Sequence, residues 1–295
     1  MKWISIRDTA EAPCCMRKKS KAENVYGKNV FVTGASSGIG QACAIAFAKS
    51  GCTVTGVSRN TEEKTEHFPG GGSLSLHRLD VTDEAAVRGF VESLPGVDIA
   101  ILCAGMGVAG PAETTPSEMT RRQMEVNYFG TINAAQPCLT RMRGQGKGLL
   151  IVIGSIAGRV SIPMQSQYSA SKYALESFTD AVRMEMKKYG VRACIIEPGD
   201  TKTGFTAARV TQDDSSAESY GSVLRKSVAK MASDEQNGRS PDSVARVALA
   251  LAGRKDPPAR VPVGMDYKAL MVLLRVMPDK CKEFILSKLY LPKGE

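Results

Sequence analysis

Apolar and polar positions fall along this chain in alternating blocks. Short apolar, β-branched runs occur at NVFVT (29–33), TVTGV (53–57), SLHRLDV (75–81) and VDIAILC (97–103). GLLIVI (148–153), VRACIIE (191–197) and ARVPV (259–263) continue the series, and all seven read as strands. Most are separated by stretches with apolar residues at helical spacing: 39–49, 83–94 opened by the cap-like Thr82, and a long one over 166–189. Strand–helix alternation predicts an α/β fold, a parallel sheet with helices on both faces. The unbroken apolar strands suit burial on both sides. No internal repeat or low-complexity tract is visible. The polar first 27 residues predict an N-terminal extension outside the folded body. The Ser/Asp/Lys-rich stretch at 211–240 is too long for a simple connection, so 200–240 is expected to supply a lid or binding loop. The body then spans 28–265, and 266–295 form a C-terminal helical extension.

Two helices are predicted in that extension, 266–278 and 279–293, divided after Pro278 with Asp279 as N-cap. Leu270, Leu273, Leu274 and Met277 share a face of the first; Phe284, Ile285, Leu286 and Leu289 share a face of the second. Three readings follow: packing on the body or a neighbouring subunit, a cover over the substrate mouth, or a basic amphipathic surface on anionic lipid. The longest apolar stretch here, ALMVLL (269–274), is far short of a membrane span.

Charge refines the picture. The net charge of +9 is concentrated at the ends: residues 1–28 carry seven Lys/Arg against three acids, and 254–295 carry nine against five. A nearly neutral body with basic ends argues against a nucleic-acid groove and leaves solvated tails or a membrane-surface contact. Eight cysteines show neither CxxC nor metal-type spacing, so no metal site is expected. Cys43, Cys103 and Cys194 fall in apolar segments and read as buried thiols of a reducing compartment. Charge interrupts the N-terminal residues too early for a secretory signal, and a cytoplasmic address is expected.

The candidate chemistry begins at TGASSGIG (33–40), between the first strand and the first helix. A glycine-rich turn there aims backbone N–H groups and a helix N-terminus at an anion, the arrangement that holds a dinucleotide pyrophosphate. The spacing Gly34-x-x-x-Gly38-x-Gly40 differs from GxGxxG. Far downstream, YSASK sets Tyr168 and Lys172 one helical turn apart on one face. A phenol ionises near 10, roughly, and an adjacent ammonium brings it towards a working pH. Ser155, at the end of the strand LLIVIGS, is placed to bond the same substrate oxygen. Alone, Tyr-x-x-x-Lys usually marks an exposed helix face; with TGASSGIG at this separation it reads as a catalytic pair.

With these motifs, and with LDVTD (79–83), AG (104–105), VNYFG (126–130), GS (154–155) and EPGDTKT (197–203), the chain resembles the short-chain dehydrogenase/reductase family over 28–264. The resemblance implies a doubly wound, Rossmann-type sheet of seven parallel strands in a single domain. It implies NAD(P) across the C-terminal strand ends and a homodimer or homotetramer. It further implies a catalytic tetrad of Asn127, Ser155, Tyr168 and Lys172, with Tyr168 and Lys172 also touching the cofactor. The cofactor would lie on Gly34, Ser36, Ser37, Gly38, Ile39 and Gly40. Asp80 and Val81 would border the adenine; Cys103, Ala104 and Gly105 the strand end beside it; Pro198, Gly199 and Thr201 the nicotinamide. Cys103 stands where the family usually has Asn, and weaker cofactor affinity is expected from that change. NAD-specific members carry a carboxylate at the end of the second strand. Ser58 stands there instead, with Arg59 next, which predicts NADP(H).

The stretches 106–110, 159–164 and 204–210 are expected to line the substrate pocket. They are largely apolar, with Arg159 and Arg209 as the available cations, and predict a hydrophobic carbonyl or alcohol. The expected activity is hydride transfer between such a ketone or aldehyde and its alcohol. The alternatives are a non-catalytic dinucleotide-binding sensor or scaffold of the same fold, and a dehydratase or epimerase relative.

Overall fold

The computed structural model describes residues 24–212 and 220–291. The chain runs β1 (Asn29–Thr33), α1 (Gly38–Lys49), β2 (Thr53–Ser58), β3 (Lys64–Phe68), β4 (Gly72–Arg78), α2 (Glu84–Ser93) and β5 (Ile99–Leu102). It continues β6 (Val108–Ala109), α3 (Ser117–Met124), α4 (Gly130–Gln145), β7 (Gly148–Ile153), α5 (Ser166–Met186) and β8 (Val191–Glu197). The last elements are α6 (Phe205–Ala208), β9 (Val210–Thr211), α7 (Gly221–Gln236), α8 (Pro241–Ala252), β10 (Arg260–Pro262), α9 (Met265–Val276) and α10 (Asp279–Tyr290).

The main sheet has the order β10-β8-β7-β5-β1-β2-β4-β3. The chain moves outward from β1 through β2, then returns to add β5, β7, β8 and β10 on the other side. The strand order therefore reverses between β1 and β5, where a crevice opens at the C-terminal strand ends. Period-2 alternation divides the strands between two cores. Val30, Val32, Leu149 and Ile151 pack with Phe47 and Val244 on one face. Phe31, Leu150 and Val152 pack with Val87, Met142 and Leu175 on the other.

The sheet differs from the expected seven parallel strands by one addition. β3 pairs antiparallel with β4 at the sheet edge. Its sequence, KTEHF, is almost wholly exposed, so it carries no apolar pattern by which to be read. The strand read at 75–81 begins earlier, at Gly72, where a Cβ would overlap the Ala48 carbonyl oxygen, and ends at Arg78. Beyond it, Asp80 Oδ1 accepts from the Thr82 N–H (3.0 Å) and hydroxyl (2.9 Å), turning the chain. Thr82 is thus spent on that turn, and Asp83 caps α2 through the Ala86 N–H.

The expected lid holds the short helix α6, the strand β9 and the helix α7, and 213–219 lie outside the described residues. Residues 1–23 of the expected N-terminal extension, with Cys14 and Cys15, also lie outside them. Its last part is docked: Tyr26 is buried and its hydroxyl donates to the Arg254 carbonyl at 2.9 Å. Cys43 and Cys194 are buried free thiols, while Cys103 is half-buried. Both C-terminal helices form, with Pro278 rather than Asp279 in the cap position. Among the described residues no helix is long and apolar enough to cross a membrane, and no acid, His or Cys cluster could hold a metal ion.

Candidate active site

The turn between β1 and α1 is built around its glycines. Gly34 and Gly38 have φ of 69° and 55°, where a side chain is strained. A Cβ on Gly40 would overlap the Gly34 carbonyl oxygen and lie 2.7 Å from its carbon. Ser37 opens α1 without a side-chain cap, and the first turn holds no acid, so its N–H groups are free to meet an anion. The Ser36 N–H donates to Ser58 Oγ at 3.0 Å, which ties the turn to the end of β2. Thr33 Oγ1 accepts from the Cys103 and Ala104 N–H groups (3.0 and 3.1 Å), joining β1 to the end of β5.

Asn127 lies in a single π-helical turn, Glu125–Phe129, fully buried. Its Oδ1 accepts from the Met106 N–H (2.8 Å); its Nδ2 donates to the Met106 carbonyl (3.1 Å) and to Ser171 Oγ (3.0 Å). Such turns recur at functional sites because they redirect one side chain without ending the helix. Ser155 follows β7, and its Oγ accepts from the Ala157 N–H at 3.1 Å. One turn apart on α5, Tyr168 and Lys172 face the same cavity. Lys172 Nζ donates to the Ile153 carbonyl at 2.9 Å and stands 5.8 Å from the Tyr168 ring centre.

Burial drives these two groups apart. The Tyr168 phenol is pushed up to about 12 by desolvation, against the pull of the neighbouring Ser155 side chain. Desolvation lowers Lys172 to about 8, with Cys103 and Glu176 opposing it. In the chain alone, burial therefore outweighs the expected lowering of the phenol by the lysine. The phenol therefore keeps its proton near neutral pH.

A buried ionic cluster backs Lys172. Glu176, the next turn of α5, accepts from Arg260 Nε at 2.8 Å, and Glu197 accepts from Arg159 Nη1 at 3.1 Å. Among the described residues, Glu176 Oε1 and Glu197 Oε2 have no hydrogen-bond partner. Burial, and then the Glu197 carboxylate, push Glu176 up to about 7. A carboxyl raised on folding binds more protons folded than unfolded. Its contribution to stability therefore falls as pH rises from the ordinary carboxylate range to about 7. Glu176→Gln stays neutral and is expected to flatten that decline. Denaturant midpoints at about pH 5 and about pH 8 measure it, and an unchanged slope would assign the titration to another group.

These parts meet in one cavity of about 670 Å³. One end is walled by Gly34, Ser36, Ser37, Gly38, Ile39, Gly40 and Arg59, and its floor by Cys103, Ala104 and Gly105. Its wall also holds Ser155, Tyr168 and Lys172, with Pro198, Gly199 and Thr201 from the end of the neighbouring strand β8. Ser58, Asp80, Val81 and Asn127 do not form its wall. Ser58 and Asn127 instead support residues that do, and Val81 is packed against Gly130.

The far end is apolar. Met106, Val160, Ile162, Phe205 and Ala208 come from the three stretches expected to line a substrate pocket. Arg159 and Arg209 are not in the wall: Arg159 is held by Glu197, and Arg209 by Glu235. No substrate clamp comes from them. α9 and α10 complete the cavity with Leu270, Leu273, Leu274, Met277, Ile285, Leu286 and Leu289, and place Lys282 in the wall beside them.

Tyr267 of α9, which no sequence motif singled out, covers Gly199 so closely that a Cβ there would overlap its ring. Its hydroxyl donates to Asp200 Oδ2 (2.7 Å) and accepts from the Asp200 N–H (3.0 Å). Arg122, Glu235 and Tyr290 are further wall residues without a local sequence signal.

The family model of the short chain dehydrogenases matches residues 28–214. A 3-ketodihydrosphingosine reductase of Bacteroides thetaiotaomicron is 32% identical over 267 residues, covering 88% of this chain and 97% of that protein. A short-chain dehydrogenase from Streptomyces avermitilis superposes with a TM-score of 0.74 at 25% identity, covering 90% of this chain and 98% of the other. One from Burkholderia cenocepacia J2315, solved in complex with NADP, shares the fold with a TM-score of 0.69 at 22% identity, covering 90% and 99%. With the glycine turn, the sheet order and the Tyr168–Lys172 pair in one crevice, these likenesses place the chain in the short-chain dehydrogenase family of oxidoreductases.

Proposed function

We propose that this protein is an NADP(H)-dependent reductase of a hydrophobic ketone or aldehyde, able to oxidise the alcohol in reverse. The observation that carries this reading is the single cavity joining a glycine cradle, Ser155–Tyr168–Lys172, and an apolar far end. The cradle fits a dinucleotide. At Gly40 a Cβ would close the turn, and the uncapped start of α1 offers its N–H groups to a pyrophosphate. When bound, the cofactor supplies the hydride that adds to the carbonyl carbon.

Ser155 and Tyr168 hold the carbonyl oxygen by hydrogen bonds and stabilise the charge that gathers there. As the C–H bond forms, the C=O π pair moves onto oxygen, which takes the Tyr168 proton. The Lys172 ammonium stabilises the phenolate left behind and so eases loss of the proton, which solvent later replaces, and its remaining N–H groups are available to a ribose. Asn127 completes the tetrad as a positioning residue, clamping Met106 and with it the strand end at 103–105.

The named activity of the Bacteroides relative makes 3-ketodihydrosphingosine the first ketone to assay. Loss of nicotinamide absorbance with that ketone or a panel of apolar ones tests the reading. Stoichiometric dinucleotide binding with no turnover on any would favour the sensor alternative.

Arg59, in the cavity wall at the end of β2, is assigned to the 2′-phosphate. A hydrogen bond to a charged group contributes about 1.5–3 kcal/mol. Arg59→Ala is therefore expected to cut the ratio of kcat/KM for NADPH over NADH by about tenfold to a hundredfold. A wild-type protein that uses NADH as well as NADPH would overturn the assignment.

A further inference from the structure

The last two helices, α9 and α10, carry apolar residues outside the cavity as well as in its wall. We propose that the outward face of these helices lies on an anionic lipid surface, so that the roof of the cavity sits in the membrane interface.

At 100° per residue, roughly, Met265, Val272 and Val276 fall on one narrow strip of α9, about 100–140° round the helix from buried Met271. They are 76%, 65% and 78% exposed, against 6% for Met271. Lys268 and Arg275, both exposed, flank this strip on one side. On α10 the outward residue is Phe284, 59% exposed, with exposed Lys280 and Lys288 beside it. Lys288 Nζ stands 4.4 Å from the Phe284 ring centre.

Apolar side chains bordered by long cationic ones match the headgroup–acyl boundary. There the aliphatic groups enter the chains while the ammonium and guanidinium heads reach phosphate. The acids of α9 and α10 do little to cancel this charge: Asp266 is bonded to Arg239 and Asp279 to Lys282, leaving Glu283.

The charge pattern favours lipid over a second copy of the chain. A two-fold pairing of this face would bring its own set of cations together, and like charges oppose such a contact. The body holds the two helices in place without lipid. Tyr267 is bonded to Asp200, and Ser227 Oγ donates to the Tyr290 carbonyl at 2.5 Å. Leu273 and Leu289, in the cavity wall yet 51% and 52% exposed, then form a rim of the cavity at the lipid surface. An apolar ketone dissolved in the bilayer would reach Tyr168 without crossing water. That delivery rests on the function proposed above; the docking itself does not.

The test is co-sedimentation of the full chain with vesicles of phosphatidylcholine plus phosphatidylserine, compared with phosphatidylcholine alone. The wild type is expected to bind the anionic vesicles and to be released by high salt. Val272→Glu with Val276→Glu, and separately Lys268→Glu with Arg275→Glu, are each expected to weaken binding by at least about tenfold, since both apolar burial and charge attraction hold an interfacial helix. Circular dichroism and reduction of a water-soluble ketone should be unchanged, because these side chains face away from the cavity.

A wild type that stays in the supernatant overturns the proposal. So do variants that bind as the wild type does, which would move the contact elsewhere in the chain. A vesicle-independent dimer that the variants dissociate would assign the face to a second copy instead. None of these readouts depends on turnover.

Discussion

Tyr168→Phe is expected to lower carbonyl reduction by at least about a hundredfold while dinucleotide binding survives. The substitution keeps the ring, and with it the packing against Phe205, whose centre lies 5.7 Å away. What it removes, in the proposed reaction, is the proton that neutralises the developing alkoxide. Burial holds that proton on the phenol, pushed up to about 12, so the donor form is available throughout the neutral range. Ser155 can still bond the oxygen but has no comparable acid to offer. Single-turnover reduction at saturating NADPH, beside a dinucleotide titration by fluorescence, separates the two effects. Near-normal reduction by the Phe variant would remove Tyr168 from the acid–base role. Lys172→Ala gives the contrast, because its ammonium is placed to serve both the phenolate and the ribose. Both turnover and dinucleotide affinity should fall.

Gly40→Ala is the second large effect. A methyl group at this position meets the Gly34 carbonyl, a backbone group that cannot rotate aside. Gly34 is itself fixed by its N–H bond to the Val57 carbonyl at 2.8 Å and by a positive φ. The chain must therefore shift α1 away from the turn, and overpacking of this kind costs about 1–3 kcal/mol. The same shift moves the α1 N–H groups off the phosphate position. Dinucleotide affinity is expected to fall more than stability does, by about a hundredfold, since several charge-assisted bonds share that geometry. Thermal melting with and without NADPH measures both. A variant stabilised by NADPH as strongly as the wild type would show that the turn is not the phosphate cradle.

The motifs TGASSGIG and YSASK carry the family resemblance and, through it, the wall residues from Gly34 to Thr201. Those signals are local: a turn needs its glycines within eight residues, and two side chains share a helix face because they are four apart. The strands β1, β7 and β8 were legible to the residue for the same reason, since burial on both sides leaves a mainly apolar run in each. β3 was not legible, because an exposed edge strand is defined by its partner β4 rather than by its own composition.

What only the tertiary structure decided is the far half of the cavity. Arg159 and Arg209 looked free as sequence, but folding sets them against Glu197 and Glu235, 38 and 26 residues away. Tyr267 reaches Asp200 across 67 residues and carries α9 over the Gly199 backbone. The amphipathic pattern of the last two helices was plain in the sequence, but a pattern fixes only which residues share a face. Whether that face meets the body, the cavity or a lipid surface depends on where the helix is anchored. Here, bonds from Tyr267 and Tyr290 to distant parts of the chain hold some apolar residues of the two helices in the cavity wall and leave others outside.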